Sequence, residues 1–380
     1  MKRKVAVFRT NLLAISETFI REQICSLNEW GAILVGRNKL PDGVDISDLD
    51  YKLIPIFGGR FFRIINYLFS LPDRRLVRTL KQGQFSLVHA HFGMDAVSIW
   101  PSVRAARIPM IVTLHGYDIN IYRWWWENGN SGWLHRFYPK KMLKMAKDPS
   151  VRFIAVSNAI KKAAINYGID SKKIDVCYIG VDTKKFKPSR IPLEFRKKRI
   201  LFVGRMVEKK APLLLIQAYS KVLEDVPGAE LFMIGTGPML KDAKKLASDL
   251  KAPVKFMGAQ NSDQVLQQLN ESRVFCLPSV TAKNGDSEGL PISILEALAC
   301  GVPVVTSAKG AVDEVVINKN TGFCVKENDV DDLSSSLIKA LTLDDASRLS
   351  ENALKDIDSK FSLSYRAKEL EKIYGNVARN

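Results

Sequence analysis

"RVFCLPSVTAKNGDSEGLPISILEALACGVPVVTS", residues 273–307, reads as strand, loop, helix and strand in a single pass. RVFCLPS is an apolar strand, VTAKNGDSEG a loop, LPISILEALACG a helix, and VPVVTS the next strand. Pro291 suits the first helical turn, where a missing N–H costs nothing. Gly301 suits a left-handed exit, and Pro303 stops the helix from continuing. Ile292, Leu295, Leu298 and Ala299 form the predicted buried face. A helix that starts where a strand ends is the unit of a parallel α/β sheet, whose ligands bind at the carboxyl ends of the strands.

The same rhythm runs through the whole chain. Predicted strands in the first half are VAVFR, AILVG, LVHAHF, MIVTLHG and RFIAVS; those in the second are RILFVG, ELFMIG, VKFMG, VFCLPS and PVVTS. Between the two sets lies IGVDTKKFKPSRIPLEFRKKR (179–199), basic, Pro-containing and without periodicity, which reads as a domain connector. A chain of 380 residues suits two cores rather than one. The expected division is a first Rossmann-like domain over 1–185 and a second over 186–362. A closing helix over 363–380 either extends the second domain or packs back on the first.

A formal charge of +17 implies anionic company: nucleic acid, an anionic bilayer or phosphorylated substrates. Nucleic acid is set aside, because no zinc-finger spacing, RNP-type segment or compact helix-turn-helix is present. Five cysteines without CxxC pairing read as reduced core residues of a cytoplasmic protein. No run approaches the roughly 20 apolar residues of a spanning helix, and MKRKVAVFRTNLL turns polar too soon for a leader. Two aromatic-and-basic segments, 58–83 and 121–147, suit the inner face of an anionic membrane. Their other reading is a buried helix plus a loop folded over a cleft.

Two acids mark the opening stretch, Glu288 just before the helix and Glu296 eight positions on. Free amides and the dipole at a helix start favour a phosphate. Eight helical residues span roughly 12 Å, room for a sugar diphosphate between one acid at the sugar and another at a ribose. The alternative is that Glu288 caps the helix electrostatically and Glu296 is solvated. LFVGRMVEKKAPLLLIQAY (201–219) adds Arg205 and Lys210 after a strand, two cations able to hold a pyrophosphate and stabilise it as a leaving group. LFMIGTGPML (231–240) places Gly235 and Gly237 after another strand, where close approach to a ligand is one use of glycine.

In order, GVDTKKFKP, VGRMVEKK, MIGTGP, VKFMG, the E-x7-E pair and EALACGVPVV resemble the family 4 glycosyltransferases, retaining enzymes of the two-domain GT-B fold. The resemblance implies two Rossmann-like domains facing across a cleft. It implies that Arg205 and Lys210 hold the donor diphosphate, Glu296 the ribose and Glu288 the transferred sugar. The amides around Gly289 and Leu290 would meet the distal phosphate, and Phe256 to Gly258, with Met257, would line the base. Ala211 departs from the glycine common there. In the first half, VTLHGYD resembles the family's HG segment, placing His115 near the donor sugar and Asp118 toward the acceptor. His91 of LVHAHFG is expected at the same end of the sheet; a packing role is the other reading of either histidine. SETFIREQICSLNEWG (16–31) stands where many GT-B enzymes have a glycine-rich loop, and this variant looks like the subgroup that builds exopolysaccharides of the colanic-acid and amylovoran kind.

The implied reaction moves a sugar from a UDP- or GDP-linked donor to a glycan or polyprenyl-diphosphate-linked acceptor, with retention. The departing phosphate would help take the acceptor's proton. No cofactor or metal is expected, and the DxD-like runs DLD (48–50) and DVD (329–331) are rejected as metal sites. A non-hydrolysing sugar-nucleotide epimerase and a basic polyanion binder are the rival functions. A dinucleotide oxidoreductase is weaker, since no G-x-G-x-x-G follows the first strand.

Overall fold

Apolar runs and amphipathic stretches alternate into two parallel sheets in the computed structural model of this chain. The structure describes residues 2–55, 59–307, 310–343 and 347–379, apart from the Arg60 side chain. Gly58, which opens the first aromatic-and-basic segment, lies outside the described residues. Two compact units result: one runs up to Gly180 and resumes at Leu363, the other is Val181–Ser362.

The first unit holds β1 (Arg3–Leu12), β2 (Trp30–Lys39), β3 (Tyr51–Leu53), β4 (Leu87–His91), β5 (Met110–Leu114), β6 (Val151–Ala155) and β7 (Ile174–Val176). They lie in the order β3-β2-β1-β4-β5-β6-β7, every pairing parallel. The second holds β8 (Lys197–Val203), β9 (Glu230–Ile234), β10 (Val254–Gly258), β11 (Ser272–Leu277), β12 (Val304–Thr306) and β13 (Gly322–Cys324), in the order β10-β9-β8-β11-β12-β13. Strand order reverses between β1 and β4 and again between β8 and β11. Helices leave opposite faces of the sheet there, opening a crevice at the carboxyl edge.

Around the opening stretch, β11 feeds the helix Ile292–Ala299 and then β12. Pro291 caps the helix in an extended conformation instead of lying within its first turn, whereas Gly301 takes the left-handed exit at φ 66°. Ile292 is half-buried and every residue from Ser293 to Cys300 is buried, so the single apolar face expected is replaced by burial all round. A helix this apolar gains by having sheet, loop and neighbouring helices on every side.

The stretch read as a connector is largely part of the second unit, because Phe186 and Leu193 are buried there and β8 starts at Lys197. The closing helix, Leu363–Val377, belongs to the first unit. Leu370, Tyr374 and Val377 join the core of β1 and β2, and one oxygen of buried Glu371 accepts the N–H groups of Asn28, Glu29 and Trp30 at 2.8, 2.7 and 3.2 Å. Those amides would otherwise be orphaned at the turn into β2.

Each aromatic-and-basic segment is divided rather than wholly buried or wholly exposed. Helices Gly59–Phe69 and Arg74–Gln82 leave Phe61, Phe62 and Phe69, with Leu71 between the helices, in solvent while Leu76 and Leu80 are buried. Trp126 is buried and Trp125 half-buried, but Trp124 and Trp133 are exposed. Among the described residues no helix is long and apolar enough to cross a membrane.

Candidate functional site

Both reversal points carry the chemistry-bearing residues of their unit. In the second, β8 ends at Val203 and delivers Gly204 and exposed Arg205 to the carboxyl edge. Met206 donates to Thr236 O at 2.8 Å and accepts from Met239 N at 3.0 Å, lacing the loops after β8 and β9 together. Glycine is required for this lacing. A Cβ on Gly235 (φ 132°) would stand 2.0 Å from the Gly204 carbonyl oxygen. The GxG spacing therefore serves the contact of two loops, with the space a Gly235 side chain would need filled by the Gly204 backbone.

Lys210 closes a short turn and is followed by Ala211 at φ 46° and Pro212, the first residue of helix Pro212–Asp225. The family glycine missing at 211 is thus a left-handed position that alanine occupies under strain. From this turn Lys210 Nζ reaches Glu288 Oε1 at 2.8 Å, and Ser279 Oγ donates to the same oxygen at 3.0 Å. Burial opposes ionisation of Glu288, yet Lys210, Lys209 and these hydrogen bonds hold its pKa below the usual carboxylate value. Burial lowers the pKa of Lys210 in turn, with Glu288 opposing. A second pair, Lys209 with Asp286 at 3.0 Å, flanks the first; burial pushes the Asp286 carboxyl up. Arg205 differs: among the described residues its guanidinium makes no ion pair or hydrogen bond.

Glu288, Gly289 and Leu290 lie buried in the loop entering helix Ile292–Ala299, and among the described residues the N–H groups of Gly289 and Leu290 make no hydrogen bond. Glu296 is also buried, which removes the reading in which it is merely solvated. Met257 is partly exposed at the end of β10. One acid–base pair, one unpartnered cation and free amides before a helix are groups whose chemistry suits a diphosphate and a polyhydroxylated group. Sequence reasoning missed Ser279, Lys209 and Asp286; the only signal for Ser279 was its place two residues after β11.

In the first unit, β4 ends at His91 and β5 leads into His115. His91 is buried, His115 half-buried, and His91 Nδ1 lies 3.0 Å from His115 Nε2. Asp118 is buried with its carboxylate accepting from Gly93 N, His115 N and Gly116 N at 2.8, 3.1 and 3.0 Å. Burial raises its pKa to about 6, while those amides pull it down. Its carboxylate fastens the His115 loop to the start of helix Gly93–Ala106, a positioning task. Across the reversal point Arg9 ion-pairs with Glu17 at 2.5 Å and with Asp95, and its guanidinium lies 4.4 Å from the Phe92 ring. Phe92 holds φ 68°, the kind of strained backbone that concentrates at functional loops. Arg9, Glu17 and Asp95 were not singled out by sequence; the SETF segment that supplies Glu17 was noticed only as a replaced glycine loop.

Three of the four DxD-like acids have structural partners: Asp48 pairs with Arg21 at 2.6 Å, Asp329 caps helix Val330–Thr342, and Asp331 pairs with Lys221. Among the described residues no group of three or more His, Cys, Asp or Glu is arranged to hold a metal.

Comparison with known proteins agrees with this geometry. Residues 183–356 match the family model described as Glycosyl transferases group 1, and residues 40–185 match Glycosyltransferase Family 4. The chain belongs to the family 4 glycosyltransferases. The chain is 30% identical over 207 residues to the Escherichia coli K12 protein named as the colanic acid biosynthesis glycosyltransferase WcaL, covering 53% of this chain and 51% of WcaL. The chain thus spans about half the length of that relative. It is 26% identical over 321 residues to the Escherichia coli UDP-Gal:alpha-D-GlcNAc-diphosphoundecaprenol alpha-1,3-galactosyltransferase, covering 80% and 79%. Anabaena Alr3699/HepE, solved in complex with UDP-glucose, superposes with a TM-score of 0.80 at 17% identity over 98% of this chain and 99% of its own. That likeness concerns the fold, which is GT-B.

Proposed function

We propose that this glycosyltransferase moves a sugar from a nucleotide diphosphate donor to a hydroxyl of a glycan or lipid-linked acceptor, with retention, in the building of a bacterial surface polysaccharide. The observation that carries the reading is the reversal point of the second sheet, where unpartnered Arg205 adjoins the buried Lys210–Glu288 pair. As the bond to the sugar breaks, negative charge grows on the departing diphosphate. Arg205, Lys210 and the amides of Gly289 and Leu290 are the groups assigned to meet it, with no metal required. Glu288 binds the hydroxyls of the transferred sugar, Glu296 the donor ribose, and the Met257 segment the base. His115 serves the transferred sugar, with Asp118 fixing its loop.

The donor is a UDP- or GDP-linked sugar; a relative solved with UDP-glucose supports the class. A relative named for a diphosphoundecaprenol-linked sugar supports a lipid-linked acceptor. Exposed Phe61, Phe62 and Phe69 on a chain of charge +17 support peripheral contact with the anionic inner face of the membrane. A thermal-shift panel of uridine and guanosine diphosphate sugars tests the reading: stabilisation by one base series is expected, and stabilisation by none defeats it. Donor isomerised without acceptor would instead identify an epimerase. Transfer surviving a chelator is expected, and its loss would overturn metal independence. Sedimentation with anionic but not neutral vesicles tests the membrane contact, which absence of binding at low salt would end.

A further inference from the structure

Four histidines occur in the chain, and three of them, His89, His91 and His115, stand together at the ends of β4 and β5. His89 is fully engaged, with Nδ1 on Tyr374 OH and Nε2 on Thr113 Oγ1, both at 2.6 Å. It has no nitrogen left for its neighbour. His91 and His115 share one contact, Nδ1 to Nε2 at 3.0 Å, with ring centres 5.3 Å apart and planes 22° from parallel. A nitrogen separation so much shorter than the centre separation sets the rings edge to edge in nearly one plane, the geometry of an in-line hydrogen bond. Such a bond needs one proton, on either His91 or His115. Burial, together with neighbouring Arg9 and His89, holds both pKa values well below the usual histidine value, so both rings are neutral.

The unused nitrogen decides which ring donates. His91 Nε2 is buried and has no partner among the described residues. If His115 donated, the His91 proton would sit on that Nε2 as a buried N–H with no acceptor, the rarer and costlier kind of orphan. If His91 donates from Nδ1, only a lone pair is left bare. The geometry points to His91 as a positioning residue that fixes neutral His115 with its proton on Nδ1, making His115 a hydrogen-bond donor rather than a base. Half-buried His115, flanked by Phe19 and Phe92 at 5.1 and 4.4 Å, is the outward member of the pair. Its role toward substrate rests on the proposed glycosyl transfer. A His115 held this way donates to a sugar oxygen and does not collect the acceptor's proton, which passes to the departing phosphate oxygen as the new glycosidic bond forms.

Two-bond 1H–15N correlation on the full-length protein with 15N-labelled histidine reads the tautomers directly, and four histidines keep assignment by single substitution tractable. Protonated Nδ1 with bare Nε2 on His115 is expected. Protonated Nε2 on His115, or an imidazolium at neutral pH, overturns the assignment. His91→Phe should abolish the single tautomer and lower kcat by about tenfold or more at an unchanged donor KM. His91→Asn, whose amide N–H stands near the position of Nδ1, should recover most of that loss; no recovery defeats the positioning role. Full turnover in His115→Ala would defeat the catalytic reading on which the role rests, while the wild-type spectrum still decides the tautomer.

Discussion

Replacing Glu288 with Gln removes the charge that faces Lys210 at 2.8 Å and keeps the shape of the side chain. At that separation two unit charges attract by about 6 kcal/mol at an effective dielectric of ~20, and desolvation of both groups offsets much of it. Breaking a buried pair costs about 3–5 kcal/mol because one charge is left behind. Lys210, whose pKa burial already lowers, can shed its proton and limit that cost. We therefore expect a loss of about 2–3 kcal/mol in the second unit, or roughly 4–12 °C in its melting temperature. A nucleoside diphosphate supplies the missing anion to Lys210, so it should raise the melting temperature of the variant by more than that of the wild type. Its affinity in calorimetry should be equal or higher, while kcat for transfer falls by about 100-fold or more because sugar contacts are lost at the transition state. Glu288 ionises well in the folded state, so its pair is complete above the ordinary carboxylate pKa and is lost as pH falls through the depressed value. Affinity and kcat falling together, or an unchanged melting temperature, would refute the division between a phosphate-holding lysine and a sugar-holding acid.

Other substitutions separate stability from binding. Arg205→Ala removes an exposed cation with no partner among the described residues, so stability should stay within about 0.5 kcal/mol. Nucleoside diphosphate affinity should drop by about 10- to 100-fold, the worth of one charge-assisted contact; an unchanged Kd would remove Arg205 from the site. Gly235→Ala drives a Cβ to 2.0 Å from the Gly204 carbonyl oxygen at φ 132° and should cost about 3 kcal/mol or more, read as insoluble expression or early urea unfolding. Ala211→Gly relieves a left-handed alanine against the extra freedom of glycine in the unfolded chain. It should be neutral or stabilising by up to about 1 kcal/mol, and a clear loss of stability would show that Ala211 is not strained.

How far the sequence reached depended on whether the information was local. Ten strands were legible because each is a short apolar, largely β-branched run with turn residues at its ends. The strands not read, Tyr51–Leu53, Ile174–Val176 and Gly322–Cys324, are each three residues long at or beside a sheet edge, too brief to show a period. Arg205, Lys210, Glu288 and Glu296 could be singled out because strand-end loops announce themselves and the acids interrupt an apolar stretch. The aromatic segments misled in part, since composition does not say which face of a helix is covered: Trp126 is buried two positions from exposed Trp124.

Sequence by itself determined the parallel α/β class and the residue types at the strand ends, because backbone propensity and hydrophobic period act over neighbours in the chain. Tertiary structure alone decided that Lys210 pairs with Glu288 while Ser279 donates to the same carboxylate oxygen, that Arg9 is held by Glu17 and Asp95, and that His91 stands in line with His115. It also decided that Glu371 closes the amides before β2 from more than 340 positions away. Lys210–Glu288, Arg9–Asp95 and His91–His115 join different elements at the carboxyl edge of a sheet, and Glu371 joins the closing helix to the turn into β2. Charge and proton placement follow from burial and distance, which no local pattern encodes.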